Sequence, residues 1–127
     1  MARTDVQREM KEMFGEVIGF IDQIPDQFID AEWDLIKRVQ FGETLIPNKY
    51  KELLGLGVAA ATKCRYCILF HTEAAKLFGA TVEEVEEAVH YTKLVMGWST
   101  YINGMQVDYD EFKAQVDRVA EHVKATA

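Results

Sequence analysis

From Val6 the apolar positions fall at Met10, Met13, Phe14, Val17, Ile18 and Ile21, the three-and-four spacing of one buried helical stripe. This spacing predicts a first helix running to Ile21. Pro25 then punctuates the chain, and because proline is tolerated in a first helical turn, "PDQFIDAEWDLIKRVQF" reads as a second helix. Phe28, Leu35, Ile36 and Val39 would face inward, and Gly42 would close it. Pro47 opens a third helix, "PNKYKELLGLGVAAATK", whose side chains thin from Leu to Gly and Ala, as suits an element crossing close to a neighbour. A fourth helix is predicted from about Cys64 to Phe78, with Gly79 as its stop. "TVEE" at 81–84 has the form of a capping box and starts a fifth, expected to last to about Met96. "GWSTYINGM" reads as a short helix or a turn, and "DYDE" at 108–111 caps a final helix with Phe112, Val116, Val119 and Val123 on one face. No stretch alternates with the period of two that a strand requires. The expectation is an all-α, compact single-domain bundle of about six helices over residues 1–127, with no linker, internal repeat or low-complexity tract.

Composition agrees with a folded chain: of 127 residues, 49% are hydrophobic and 28% charged, and only 2 are proline. A formal charge of −7 repels phosphate backbones and anionic lipid, so neither nucleic acid nor a membrane surface is expected as a partner. The stretch "MARTDVQREMKEMFGE" mixes acids with its apolar residues and reads as neither a signal peptide nor a membrane span. A cytoplasmic location is therefore expected, where reducing buffers work against a purely structural disulfide.

In that setting the two cysteines of "CRYCILFH", residues 64–71, need another reason. At about 3.6 residues per turn, Cys64, Cys67 and His71 share one helix face. A helix start presents unpaired N–H groups and the positive end of the dipole, and Lys63 and Arg65 flank Cys64, so a thiolate is favoured there. His71, one turn beyond Cys67, can exchange a thiol proton near neutral pH, and two thiols at this spacing can cycle between dithiol and disulfide. Two other readings stand beside redox chemistry. The cysteines can be inert and buried, as free cysteines often are. They can also ligate zinc with His71, a site that would need Glu52 or His90 as its fourth ligand. Covalent haem attachment is excluded, since it requires His directly after the second Cys and Ile68 stands there.

The stretch "KELLGLGVAAATKCRYCILFHTEAAKLFGATVEEVEEAV", residues 51–89, resembles the core of the carboxymuconolactone decarboxylase and alkylhydroperoxidase D family. Redox-active members carry a Glu, then CxxC, then a His four residues on, and the matching residues here are Glu52, Cys64, Cys67 and His71. The resemblance implies a helical, thiol-dependent oxidoreductase of the peroxidase or disulfide reductase type. Its catalytic set would be Cys64, Cys67, His71 and Glu52, with no cofactor and no metal. One thiolate would attack a peroxide or disulfide substrate, the other would resolve it, and a dithiol partner protein or small thiol would re-reduce the pair. Position at the helix start assigns the attack to Cys64 and resolution to Cys67, with His71 as proton shuttle and Glu52 charging the relay. The resemblance also implies a homo-oligomer, trimer or hexamer. Some peroxidase members place a further His between the cysteines; Arg65 and Tyr66 stand there in this chain. Decarboxylase members are not recognised by a redox cysteine pair, so the pair points away from that activity. The alternatives are a carboxymuconolactone decarboxylase-type enzyme, or a non-catalytic helical oligomer that binds a small molecule or metal.

Other features carry less. "GLGVAA" from Gly55 matches a shortened dinucleotide fingerprint, with Glu73 near the ribose-binding distance, but a helix precedes it where a strand is required, so its glycines are read as close-packing positions. His90 and His122 are read as ordinary helix residues, and Trp98 and Tyr101 as core or interface.

Overall fold

The structure, a computed structural model, describes residues 2–127; Met1 lies outside them. Every regular element in this range is helical: α1 (Arg3–Phe14), α2 (Gly19–Asp22), α3 (Asp26–Leu35) running into a π-helical segment (Ile36–Phe41), α4 (Asn48–Thr62), α5 (Arg65–Leu77), α6 (Val82–Gly104) and α7 (Tyr109–Thr126). The all-α fold is the one expected.

The first predicted helix is broken in two. Gly15 takes a left-handed conformation at φ +79°, which glycine adopts without a side-chain penalty, and its N–H closes α1 on Lys11 O. The apolar spacing runs on because the turn keeps Val17, Ile18 and Ile21 directed at the same core. Val6, Met10, Ile21, Ile29 and Trp33 form that core, with Phe14 and Ile36 packed at its edge. Here the expected inward face of α3 is corrected: Ile29 and Trp33 are buried, Ile36 is half-buried, and Phe28, Leu35 and Val39 remain about half exposed. The helix carries two apolar stripes, and α1 covers only one of them.

Polar ties fix this unit. The Arg3 guanidinium donates to the carbonyls of Asp22 and Ile24 and pairs with Asp26 at 2.7 Å. Glu9 accepts from Trp33 Nε1 at 2.6 Å and Lys37 Nζ at 2.9 Å, and Lys37 holds its carboxyl below the usual range, helped by Trp33. Gly42 ends the π segment because a Cβ there would sit 2.6 Å from Arg38 O.

The second packing unit is α4 laid along α5 and α6, with Leu56, Ala59, Ala74 and Ala75 buried between them. Small side chains let these helices approach closely; a Cβ on Gly57 would meet Thr92 Oγ1 at 3.0 Å. Lys49 ties α4 to α6 through Glu84 at 3.0 Å. Thr81 and Glu84 form the predicted capping box. α6 does not stop near Met96: "GWSTYIN" continues it to Gly104, with Thr100 and Asn103 side chains bonding back to Met96 O and Ser99 O. α7 begins at Asp108, which accepts from Glu111 N–H as expected, but packs on no other helix to a comparable extent.

Candidate functional site

Three elements meet at the motif. α4 ends at Lys63, which adopts a left-handed conformation at φ 57°, and the chain turns directly into α5. Cys64 is the N-cap of α5, extended at φ −92° and ψ 103°, and its Sγ accepts the Cys67 N–H at 3.4 Å. A sulfur therefore does what a Ser or Asp oxygen usually does at this position. The Cys67 N–H, then the Cys67 thiol, then the Tyr66 N–H hold the Cys64 thiol below its ordinary range, with burial opposing. Cys67 is pushed up, chiefly because its thiol donates to Cys64, with burial and the neighbouring charge adding to this. These opposed shifts favour the first negative charge of the pair on Cys64. Both cysteines are free thiols, Cys64 partly covered and Cys67 exposed.

The turn between α4 and α5 brings Glu52 back to this face. Its side chain is buried, the residue 3% exposed, and its Oε2 lies 2.7 Å from His71 Nδ1. The carboxylate accepts, Nδ1 donates, and Nε2 is left to exchange protons. The imidazole lies flat against the α4 backbone: a Cβ on Gly55 would fall 2.6 Å from His71 Cε1 and 2.7 Å from Nδ1. The glycine of the apparent fingerprint thus makes room for a histidine ring. The ring also meets Phe70 edge-on, closing a series of edge-on aromatic contacts running Trp33, Phe14, Phe41, Phe70, His71, with centroids 5.1 to 6.2 Å apart.

Cys67 and His71 open onto a cavity of about 660 Å³. Ile36, Gln40 and Phe41 of the π segment form one wall, Tyr66 and Phe70 a second, and Phe14, Ile18, Phe20 and Ile21 a third. Cys64 is not among its lining residues. Spacing put Cys64, Cys67 and His71 on one helix face and the resemblance added Glu52; the structure sets Glu52 against His71 and leaves Cys64 outside the cavity lining. The cavity walls gave no sequence signal, since they come from elements distant along the chain. Among the described residues, no group of three or more His, Cys, Asp or Glu side chains is arranged to hold a metal ion, so the zinc set with Glu52 or His90 is not assembled. His90 lines a separate shallow depression with Trp98 and Tyr101. Among the described residues, no helix is long and apolar enough to cross a membrane.

Comparison with known proteins agrees with this architecture. The crystal structure of the alkylhydroperoxidase AhpD core from Rhodospirillum rubrum superposes with a TM-score of 0.76 over 88% of this chain and 85% of that one, at 23% identity, a likeness of fold. "Uncharacterized protein 4 in cox locus" from Paracoccus denitrificans is 33% identical over 61 residues, which is 48% of this chain and 55% of that protein, so the match spans about half of the relative's length. The sequence model of the carboxymuconolactone decarboxylase family matches residues 23–107, a stretch that holds Glu52, both cysteines and His71. With two thirds of its length matched in this way, the chain belongs to the carboxymuconolactone decarboxylase family.

Proposed function

We propose that this protein is a thiol-dependent oxidoreductase that reduces a peroxide or a disulfide with the Cys64/Cys67 pair, using His71 and Glu52 as its proton relay. One observation carries the reading. A helix-capping sulfur favoured as thiolate sits beside a second thiol, which shares a cavity with a histidine backed by a buried carboxylate.

The position of the cavity favours Cys67 as the first thiol to meet substrate, the reverse of the order suggested by nearness to the helix start. His71 Nε2 takes the Cys67 proton, and Glu52 stabilises the imidazolium that forms. With a hydroperoxide, the Cys67 thiolate attacks the terminal oxygen and the O–O bond breaks. The alkoxide leaves with the proton from His71, and Cys67 becomes a sulfenic acid. The Cys64 thiolate then attacks Cys67 Sγ. An S–S bond forms, the S–O bond breaks, and the hydroxide departs as water with a proton taken from solvent. One peroxide is reduced by two electrons, which both come from the dithiol. With a disulfide substrate, the same two attacks expel two thiols instead. A dithiol protein or small thiol returns the electrons, which suits a cytoplasmic setting.

The protein is further proposed to work as a homo-oligomer, a trimer or hexamer, because α6 and α7 leave long apolar faces uncovered in the single chain. The redox reading is tested by adding one equivalent of tert-butyl hydroperoxide to the reduced protein and following both thiols by mass. Loss of two thiols with an internal Cys64–Cys67 disulfide and no net oxygen gain is expected. Unreacted thiols, or activity surviving replacement of both cysteines by serine, would remove the reading.

A further inference from the structure

The family match begins at residue 23, yet four of the residues lining the cavity, Phe14, Ile18, Phe20 and Ile21, lie before it. The catalytic set belongs to the matched stretch, and one wall of the chamber in front of it does not. That wall is held firmly. The Arg3 guanidinium grips the chain at Asp22, Ile24 and Asp26, and Gln7 Nε2 donates to Asp22 Oδ1 at 2.9 Å. Ile18 packs on the buried core, whereas Phe20 is 72% exposed and outside it, although aromatic side chains ordinarily seek cover. Among the described residues, no Lys, Arg, Asp or Glu lines the cavity. The polar side chains other than Cys67 and His71 are Gln40 and Tyr66, whose hydroxyl already accepts from Arg65. At about 660 Å³ the space falls within the range, roughly 300–1,000 Å³, of cavities that enclose a small organic ligand.

We propose that α1 and α2 are a specificity wall, on which Phe20 covers the bulky apolar group of the hydroperoxide while its O–O end meets Cys67. This rests on the peroxide-reducing reading above and narrows it: a charged disulfide or a small hydrophilic peroxide finds no counter-charge and no fitted surface here. The occupant is a small molecule with a branched or aromatic hydrocarbon body, because the reacting thiol and histidine share the cavity with a lining made mostly of aliphatic and aromatic side chains.

The test uses the reduced full chain, Phe20→Ser and Phe20→Leu, with two readouts. The first is protection of Cys67 from iodoacetamide by cumyl alcohol, the reduction product of cumene hydroperoxide, which needs no turnover. The second is the ratio of kcat/KM for cumene hydroperoxide to that for hydrogen peroxide. Phe20→Ser should weaken the protection and lower the ratio by about tenfold, as expected when much of a phenyl contact is lost, and Phe20→Leu should restore most of both. Unchanged protection and ratio in Phe20→Ser would overturn the proposal. So would a change in oligomeric size with Phe20→Ser, which would make the wall a contact for a second copy. Protection by cumyl alcohol that depends on Phe20, in a protein oxidised by neither peroxide, would uphold the wall and remove the peroxidase reading instead.

Discussion

His71 is held on three sides: Glu52 fixes Nδ1, Phe70 meets one face edge-on, and the bare backbone at Gly55 supports the ring. Substituting Gly55 by Ala would put a methyl carbon 2.6 to 3.0 Å from three atoms of the imidazole, too close for both to stay in place. The helix gains up to about 1 kcal/mol of propensity, and overpacking takes back about 1–3 kcal/mol. The ring must move, so Gly55→Ala should lower the rate profile of Cys67 alkylation near neutral pH as His71→Ala does. A profile unchanged from the parent protein would show that the ring does not depend on this space. The two thiols separate in the same way. Cys64 is held down first by the Cys67 N–H, which survives Cys67→Ala, so Cys64 in that variant should still alkylate below the ordinary thiol range. Cys67 is held up first by its bond to Cys64, so in Cys64→Ala its value should fall toward the ordinary thiol range and its alkylation should speed up. Because the fold lowers the Cys64 value, its stabilising contribution is complete above the unfolded thiol value of 9.0 and is lost as pH falls through the folded one. Most of these residues were legible in the chain. CxxC and a histidine one turn on must share a helix face, but the place of Glu52 came from a resemblance, since a lone glutamate among lysines is ordinarily exposed.

At the scale of elements, capping chemistry was read correctly and apolar spacing less so. Thr81 and Asp108 mark helix starts through side-chain caps, which the residue types themselves impose, and helices end at Gly42 and Lys63 as expected. Spacing alone passed over the Gly15 turn, took the uncovered stripe of α3 for the covered one, and ended α6 at a glycine that the helix tolerates. It could not foresee the π segment, whose wider turn contributes Ile36, Gln40 and Phe41 to the cavity wall. The start of α6 offers a clean test. Thr81→Ala removes the cap and should cost about 1 kcal/mol in urea unfolding. Glu84 titrates below its unfolded value of 4.5, first through the Thr81 N–H and then through Lys49, so its contribution is present above 4.5 and lost as pH falls through the folded value. The destabilisation caused by Glu84→Gln should therefore be evident at pH 7 and fade in acid. A penalty that persists at low pH would assign it to packing instead.

For the molecule as a whole, the uncovered surface is the prominent feature. Phe112, Val116, Val119 and Val123 of α7 are 40% to 61% exposed, and Trp98, Tyr101 and Met105 extend the apolar surface along α6. Sedimentation at micromolar concentration should show an assembly larger than the 14.5 kDa chain, and Val119→Glu should shift it toward the monomer. A monomeric parent protein would contradict the proposed oligomer. Within the chain, the aromatic series from Trp33 to His71 joins the N-terminal core to the reactive face. The cavity depends on that union, which is why no single stretch of sequence announced it.

The central claim is that Cys64 and Cys67 form one reversible redox couple tuned by His71 and Glu52. Its most direct test is the reduction potential of the pair, read by mass-tagged alkylation across dithiol buffers, with His71→Ala and Glu52→Gln alongside for alkylation rates. The prediction is a single two-electron couple near the cytosolic range, about −220 to −320 mV, and slower thiol chemistry near neutral pH in both variants. Thiols that never form an internal disulfide, or that react only once the chain unfolds, would contradict it.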